Sequence, residues 1–151
     1  LRAVLRTPIT RALLAAAPRL AAVEIAPGAF GHGRPARALR VSAQHCVLIS
    51  GWRAELMFAL PEVLVPAGRL VDGHNVRLLA PGGGLEYIHL VFDRHHIIWA
   101  EGLATESYLP GALTAPFAQL DLPEMHPARP RLRGWEARLL SPGARPAGAV
   151  A

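Results

Sequence analysis

The chain has no lysine, one cysteine and one asparagine, and aromatic side chains make up only 6% of its 151 residues. Each shortage closes off a class of function. A single cysteine, Cys46, can build neither a disulfide framework nor a cysteine-based zinc finger. All 16 basic residues are arginines, scattered without a compact basic block, beside abundant alanine, glycine and proline. That is the bias of a GC-rich genome, and with so few aromatics the stacking platform for single strands is missing. The net charge of +5 is therefore not taken as a sign of nucleic-acid binding. No apolar run reaches the ~18 residues that would span a bilayer. The apolar stretch 13–17 is cut by Pro18 and Arg19 short of the ~7 residues a secretion signal uses. Neither nucleic acid nor membrane is expected as a partner, and the oligomeric state is not fixed.

Over half of the residues are hydrophobic, enough for one domain with its own core. Glycine and proline, 14 of each, punctuate the chain into short segments about ten residues apart, which points to an all-β domain. Thr10 is placed to cap a short helix over 11–17, halted by Pro18. Strands are expected at 22–25, at 40–50 as one central run ended by Gly51, at 63–67, at 76–79, and at 96–100. Residues 55–60 read as a strand or a single helical turn, and Asp72-Gly73 as a tight turn. Residues 85–92 alternate cleanly, with Tyr87, His89 and Val91 on one face and Ile88, Leu90 and Phe92 on the other. Residues 116–130 read as loop. Residues 131–140 read as one amphipathic helix with Leu132, Trp135, Leu139 and Leu140 inward, and 141–151 as a disordered tail.

The stretch Val41-Ser42-Ala43-Gln44-His45-Cys46-Val47-Leu48-Ile49 organises the rest, because it sets a hydroxyl three residues before a histidine at the mouth of an apolar run. A histidine there can donate to a carbonyl or move a proton. Equally, His45 can simply bond a neighbouring carbonyl while Ser42 caps a turn. Cys46 is read as a small buried hydrophobe and not as a nucleophile, since neighbours on a strand point to opposite faces and His45 could not serve as its base. His89, His95 and His96, with Asp93, invite a metal site, but their spacing matches no zinc signature, and no metal or other cofactor is expected. Gly82-Gly83-Gly84 lacks the strand-then-helix setting of a phosphate loop. Acyl chemistry on the backbone remains. It needs a nucleophile, donors that steady the amide and its oxyanion, and an acid for the leaving nitrogen. The Ser42–His45 turn could give the donors and a histidine of 93–96 the acid.

Several spaced segments carry a family resemblance over about 23–111: Pro27-Gly28-Ala29-Phe30-Gly31, Val41-Ser42-Ala43-Gln44-His45, Gly51-Trp52-Arg53-Ala54-Glu55-Leu56, Glu62-Val63-Leu64-Val65-Pro66-Ala67, Leu70-Val71-Asp72-Gly73, Tyr87-Ile88-His89-Leu90-Val91-Phe92-Asp93-Arg94-His95, Ala100-Glu101-Gly102 and Glu106-Ser107. In this order they resemble the Hint superfamily of hedgehog autoprocessing domains and inteins, in a bacterial branch. The resemblance implies an all-β, horseshoe-like fold, here partial, with a short N-terminal and a C-terminal helix. It also implies an N-to-S or N-to-O acyl shift on the upstream polypeptide, which is the expected partner and substrate. Ser42 and His45 fill the two positions of the family's Thr-x-x-His motif, with serine in place of threonine. His95 fills the position of the assisting histidine, with His96 as the neighbouring alternative. Cys46 stands where relatives tend to carry arginine. The family's leading cysteine or serine nucleophile does not precede Leu1, so the chain is expected to be an N-terminally truncated fragment, inactive by itself. Because Asn75 lies well inside the chain and no closing His-Asn pair is found, cleavage is expected and splicing is not. The implied organisation is a lead-in remnant at 1–21, the Hint-type β domain at 22–111, a helix-bearing extension at 112–140 and the tail at 141–151. The other class of function the residues allow is a β-rich interaction module that keeps the fold without the chemistry.

Overall fold

In a computed structural model of the chain, residues 1–80, 82–110, 124–134 and 136–140 are described here. Among them nine strands form three antiparallel sheets. β1 (Ala3–Ile9) pairs with β7 (Leu85–Val91) as a two-stranded ribbon. β2 (Ala22–Ile25) lies between β3 (Leu39–Ser42) and β6 (Val76–Leu78). The largest sheet runs in the order β5 (Glu62–Pro66), β4 (Cys46–Ser50), β9 (Leu103–Glu106), β8 (Ile97–Ala100). The all-β expectation holds. Residues 1–6, read from the sequence as lead-in, fall mostly in β1, whose alternating burial matches the alternation of β7.

Two short helices join the strands. α1 (Arg11–Ala16) forms where expected, and the Thr10 Oγ1 accepts the Leu13 N–H at 3.1 Å. Of the strand or single helical turn expected at 55–60 the helical alternative forms, as α2 (Trp52–Phe58), starting earlier than expected. It starts after Gly51, whose φ of +98° few other residues adopt, and closes at Ala59, whose N–H donates to the Glu55 carbonyl.

The run 40–50 is two strands and not one. Ser42 accepts the His45 N–H on both its carbonyl (3.1 Å) and its Oγ (3.2 Å), which closes a turn over Ala43 and Gln44. A 3-10 turn at Ala67–Arg69 holds that turn in place: the Gly68 N–H donates to the Ala43 carbonyl and the Ala67 N–H to the His45 carbonyl. Glycine at 68 suits this close approach, because a Cβ there would lie 3.0 Å from the Ala43 Cβ and 3.0 Å from its carbonyl oxygen and would push the turn aside by a few tenths of an ångström. Hydrophobic content alone could not reveal the break, since Val41 and Val47 on either side are both core residues.

The main core joins the two larger sheets through Val23, Ile25, Val47, Val63, Val65 and Leu103, each fully or almost fully buried. Burying one such side chain contributes about 1.5–3 kcal/mol. A smaller cluster of Ile9, Leu14 and Ala21 seats α1 under the ribbon. The continuous helix expected over 131–140 is replaced by an extended segment and a 3-10 turn at Glu136–Leu140. Leu132 is buried in the main core, as expected, and so is Leu140. The side chains of Trp135 and Leu139, part of the loop expected over 116–130, and the tail at 141–151 lie outside the described residues.

Candidate functional site

The expected residues meet at one end of the four-stranded sheet, around a side chain that sequence reasoning assigned no role. Glu106 ends β9 with 6% exposure, and one carboxylate oxygen, Oε1, accepts the Cys46 N–H at 2.9 Å. The other, Oε2, stands 3.2 Å from His95 Nε2, without the alignment of a strong hydrogen bond. Burial pushes the Glu106 carboxyl toward its neutral form, but the His95 ring, the charge of Arg131, the nearby His45 ring and the Cys46 N–H together hold it below the usual value. It is an anion at neutral pH.

His95 follows the β7 turn and its side chain has no exposed surface. Its Nδ1 accepts the Ala128 N–H at 2.8 Å. An accepting Nδ1 carries no proton, so the neutral ring keeps its proton on Nε2, toward Glu106. His96, the neighbouring alternative, turns elsewhere: its ring lies 5.1 Å from that of Phe92, and its N–H donates to Ser107 Oγ. His89 sits on the ribbon, with its Nε2 3.2 Å from Thr7 Oγ1 and its ring edge-on to Tyr108. The histidines that suggested a metal centre are thus dispersed, and among the described residues no cluster of histidine, cysteine and acidic side chains could hold an ion.

His45 lies in the turn between β3 and β4. Burial lowers its pKa, the nearby carboxylate of Glu106 opposes that, and His89, His95 and Arg131 lower it further, so the ring is neutral at pH 7. Ser42 fills the structural role open to it, accepting the His45 N–H. Cys46 is fully buried, and burial, followed by the charge of Glu106, pushes its thiol up to about 12. It is no nucleophile in this setting.

Arg131 completes the cluster from far along the chain. Its Nη2 lies 3.1 Å from Cys46 Sγ, 3.4 Å from the Gln44 carbonyl and 3.7 Å from Glu106 Oε1. The segment 124–134 reaches this position by running beside β5 as a strap. The Leu64 N–H donates to the Pro130 carbonyl, the Leu132 N–H donates to the Leu64 carbonyl, and Arg129 pairs with Glu62. The strap covers the open edge of β5 and delivers both the Ala128 N–H and the Arg131 guanidinium.

Residues 1–112 match the family model described as Hint domain. The chain belongs to the Hint domain family. Neither the curated proteins nor the solved structures gave a match. The Hint match takes in β1 through β9, with Ser42, His45, Cys46, His95 and Glu106, and starts at residue 1 where the resemblance read from motifs starts near 23. The strap lies beyond the Hint match. Two members of the cluster were given no role from the sequence. Glu106 stood in the Glu106-Ser107 segment of the resemblance without a role, and Arg131 left no signal, because it read as the start of a helix.

Proposed function

We propose that this Hint domain activates a peptide bond of a polypeptide attached upstream for an acyl shift and self-cleavage. A thiol or hydroxyl of that polypeptide attacks the carbonyl carbon of the residue before it. The carbon–nitrogen bond breaks as a carbon–sulfur or carbon–oxygen bond forms, and the nitrogen leaves as an amine after taking a proton. Water then hydrolyses the thioester or ester. Ser42 and His45 hold and polarise the amide, and His95 assists the proton transfer. The observation that carries this reading is the Ser42–His45 turn: it is pinned by the backbone at Ala67 and Gly68 and keeps a neutral imidazole at pH 7. Since Cys46 is buried and protonated, its thiol is not the nucleophile, and this reading takes the nucleophile from the processed polypeptide.

One observation favours a second reading, a non-catalytic interaction module. His95 is fully withdrawn from solvent and both its ring nitrogens already face partners, Ala128 and Glu106, as in a structural lock. The experiment is to express the full-length gene product and follow its mass with time, with and without dithiothreitol. Thiol-accelerated cleavage that is lost in His45→Ala supports self-processing. A folded protein of constant mass under both conditions sinks it and leaves the module.

A further inference from the structure

Four arginines, Arg19, Arg69, Arg131 and Arg133, line one groove of about 870 Å³, and no acidic side chain lines it among the described residues. Elsewhere on the surface most arginines sit on carboxylates, while Arg11, Arg34 and Arg94 stand singly and not together. Arg6 sits on Glu86, Arg37 on Glu101, and Arg40 and Arg77 together on Glu24. In the groove, Arg19, Arg69 and Arg133 are exposed and have no carboxylate partner among the described residues, while Arg131 shares the buried charge of Glu106. Three guanidinium charges with no carboxylate partner among the described residues thus share a concavity, where charge acts more strongly on a ligand than on a convex surface.

The groove also has an apolar side. Val71 and Leu78 line it and keep 37% and 54% of their surface exposed. Its volume is many times what one small anion fills and falls within the range of sites for larger ligands. No aromatic ring lines it among the described residues, so it offers no platform for stacked bases. We propose that this groove binds an extended peptide segment that carries carboxylate side chains interleaved with apolar ones. Guanidinium forks match carboxylates in two-point contacts, and Val71 and Leu78 take the apolar side chains. Ala43 and Gln44 also line the groove, so such a segment would lie directly beside the Ser42–His45 turn. The inference concerns recognition and stands or falls separately from cleavage.

The test is fluorescence anisotropy of a labelled peptide of alternating glutamate and leucine on the whole chain at low ionic strength, where the charge contribution is least screened. The same peptide with glutamine for glutamate, a single-stranded oligonucleotide and inorganic phosphate serve as comparisons. Loss of paired charge contacts should be read as about ten-fold or more in Kd. The acidic peptide is expected to bind at least that much tighter than its glutamine counterpart. The double variant R69Q/R133Q should lose at least as much, while Arg37→Gln, on a paired arginine, should bind like the parent. Both variants change exposed residues, and an unchanged urea midpoint confirms that they fold. Equal binding of the two peptides overturns the proposal. So does an unaffected double variant, an oligonucleotide that binds tighter than the acidic peptide, or full displacement by phosphate, which would mark a small-anion site.

Discussion

The Glu106 carboxylate and the Cys46 backbone N–H, sixty residues apart in sequence, are joined at 2.9 Å inside the sheet. The bond fixes the start of β4 against the end of β9, where the only register pair between those strands is Val47 with Thr105. It also keeps the negative charge that His95 and Arg131 face.

Removing that charge should therefore cost more than one hydrogen bond. In Glu106→Ala the Cys46 N–H loses its acceptor, the neutral His95 ring loses the carboxylate it faces and Arg131 loses its counter-charge; a buried donor left unsatisfied costs about 1–3 kcal/mol by itself. Glu106→Gln keeps an acceptor and the shape, so its cost should be the smaller. Urea denaturation of the three proteins checks the order. An alanine variant as stable as the parent would remove Glu106 from the account.

Stability should fall steadily on acidification. Burial lowers the pKa values of both His45 and His89 below the ordinary 6.5. Above that value neither state is charged. As pH falls below it, the unfolded chain takes up protons that the folded chain refuses, so folding weakens. The depressed carboxyl of Glu106 acts in the same direction at lower pH: its contribution is complete above its ordinary 4.5 and is lost as pH drops through the folded value. Urea midpoints measured from pH 8 to pH 3.5 should decline in both ranges, and His45→Gln should flatten the upper one. A midpoint that rises between pH 7 and pH 5 would contradict the burial of these rings.

The Cys46 thiol, pushed up to about 12, is almost wholly protonated at pH 8 and has no exposed surface. The native chain should resist iodoacetamide at that pH, and the urea-unfolded chain should take one equivalent, as read by mass. Rapid labelling of the native chain would show the thiol to be open.

The strap gives a prediction in hydrogen exchange. Leu132 is 7% exposed within the main core, and Leu132→Ala should cost about 2–5 kcal/mol if the surrounding core cannot collapse onto the gap. The Ala128 and Leu132 amides, bonded to His95 Nδ1 and to the Leu64 carbonyl, should lose more protection than those of β4. Equal loss everywhere would mean that the strap has no local stability of its own.

How much of this was legible in the sequence depended on whether a residue's partners were near in the chain. Thr10 and Leu13 are three apart, so the cap of α1 could be read, and the alternation of β7 is visible in its own seven residues. The turn at Ala43 and Gln44 was half legible: Ser42 could be read as a turn cap beside the polar Gln44 and His45, but the Ala67 and Gly68 amides that pin it are far along the chain. Ser42, His45 and His95 stood out as residue types that do chemistry, whereas the environment that sets their protonation comes from Glu106, Ala128 and Arg131. Those three acquire meaning only once β4, β9 and the strap are side by side.

The pairing of Leu64 with the strap also sets an order of events during synthesis. His45, Cys46, His95 and Glu106 all leave the ribosome before Ala128 and Arg131 exist, and closing so long a loop is slow compared with local turns. A nascent chain thus passes through an interval in which the His95 lone pair is uncovered, the Cys46 sulfur has no guanidinium beside it and the β5 edge is open. The protonation states described for the finished domain are acquired only once Ala128 and Arg131 have been made, so the site has a birth time later than that of the sheet that carries it.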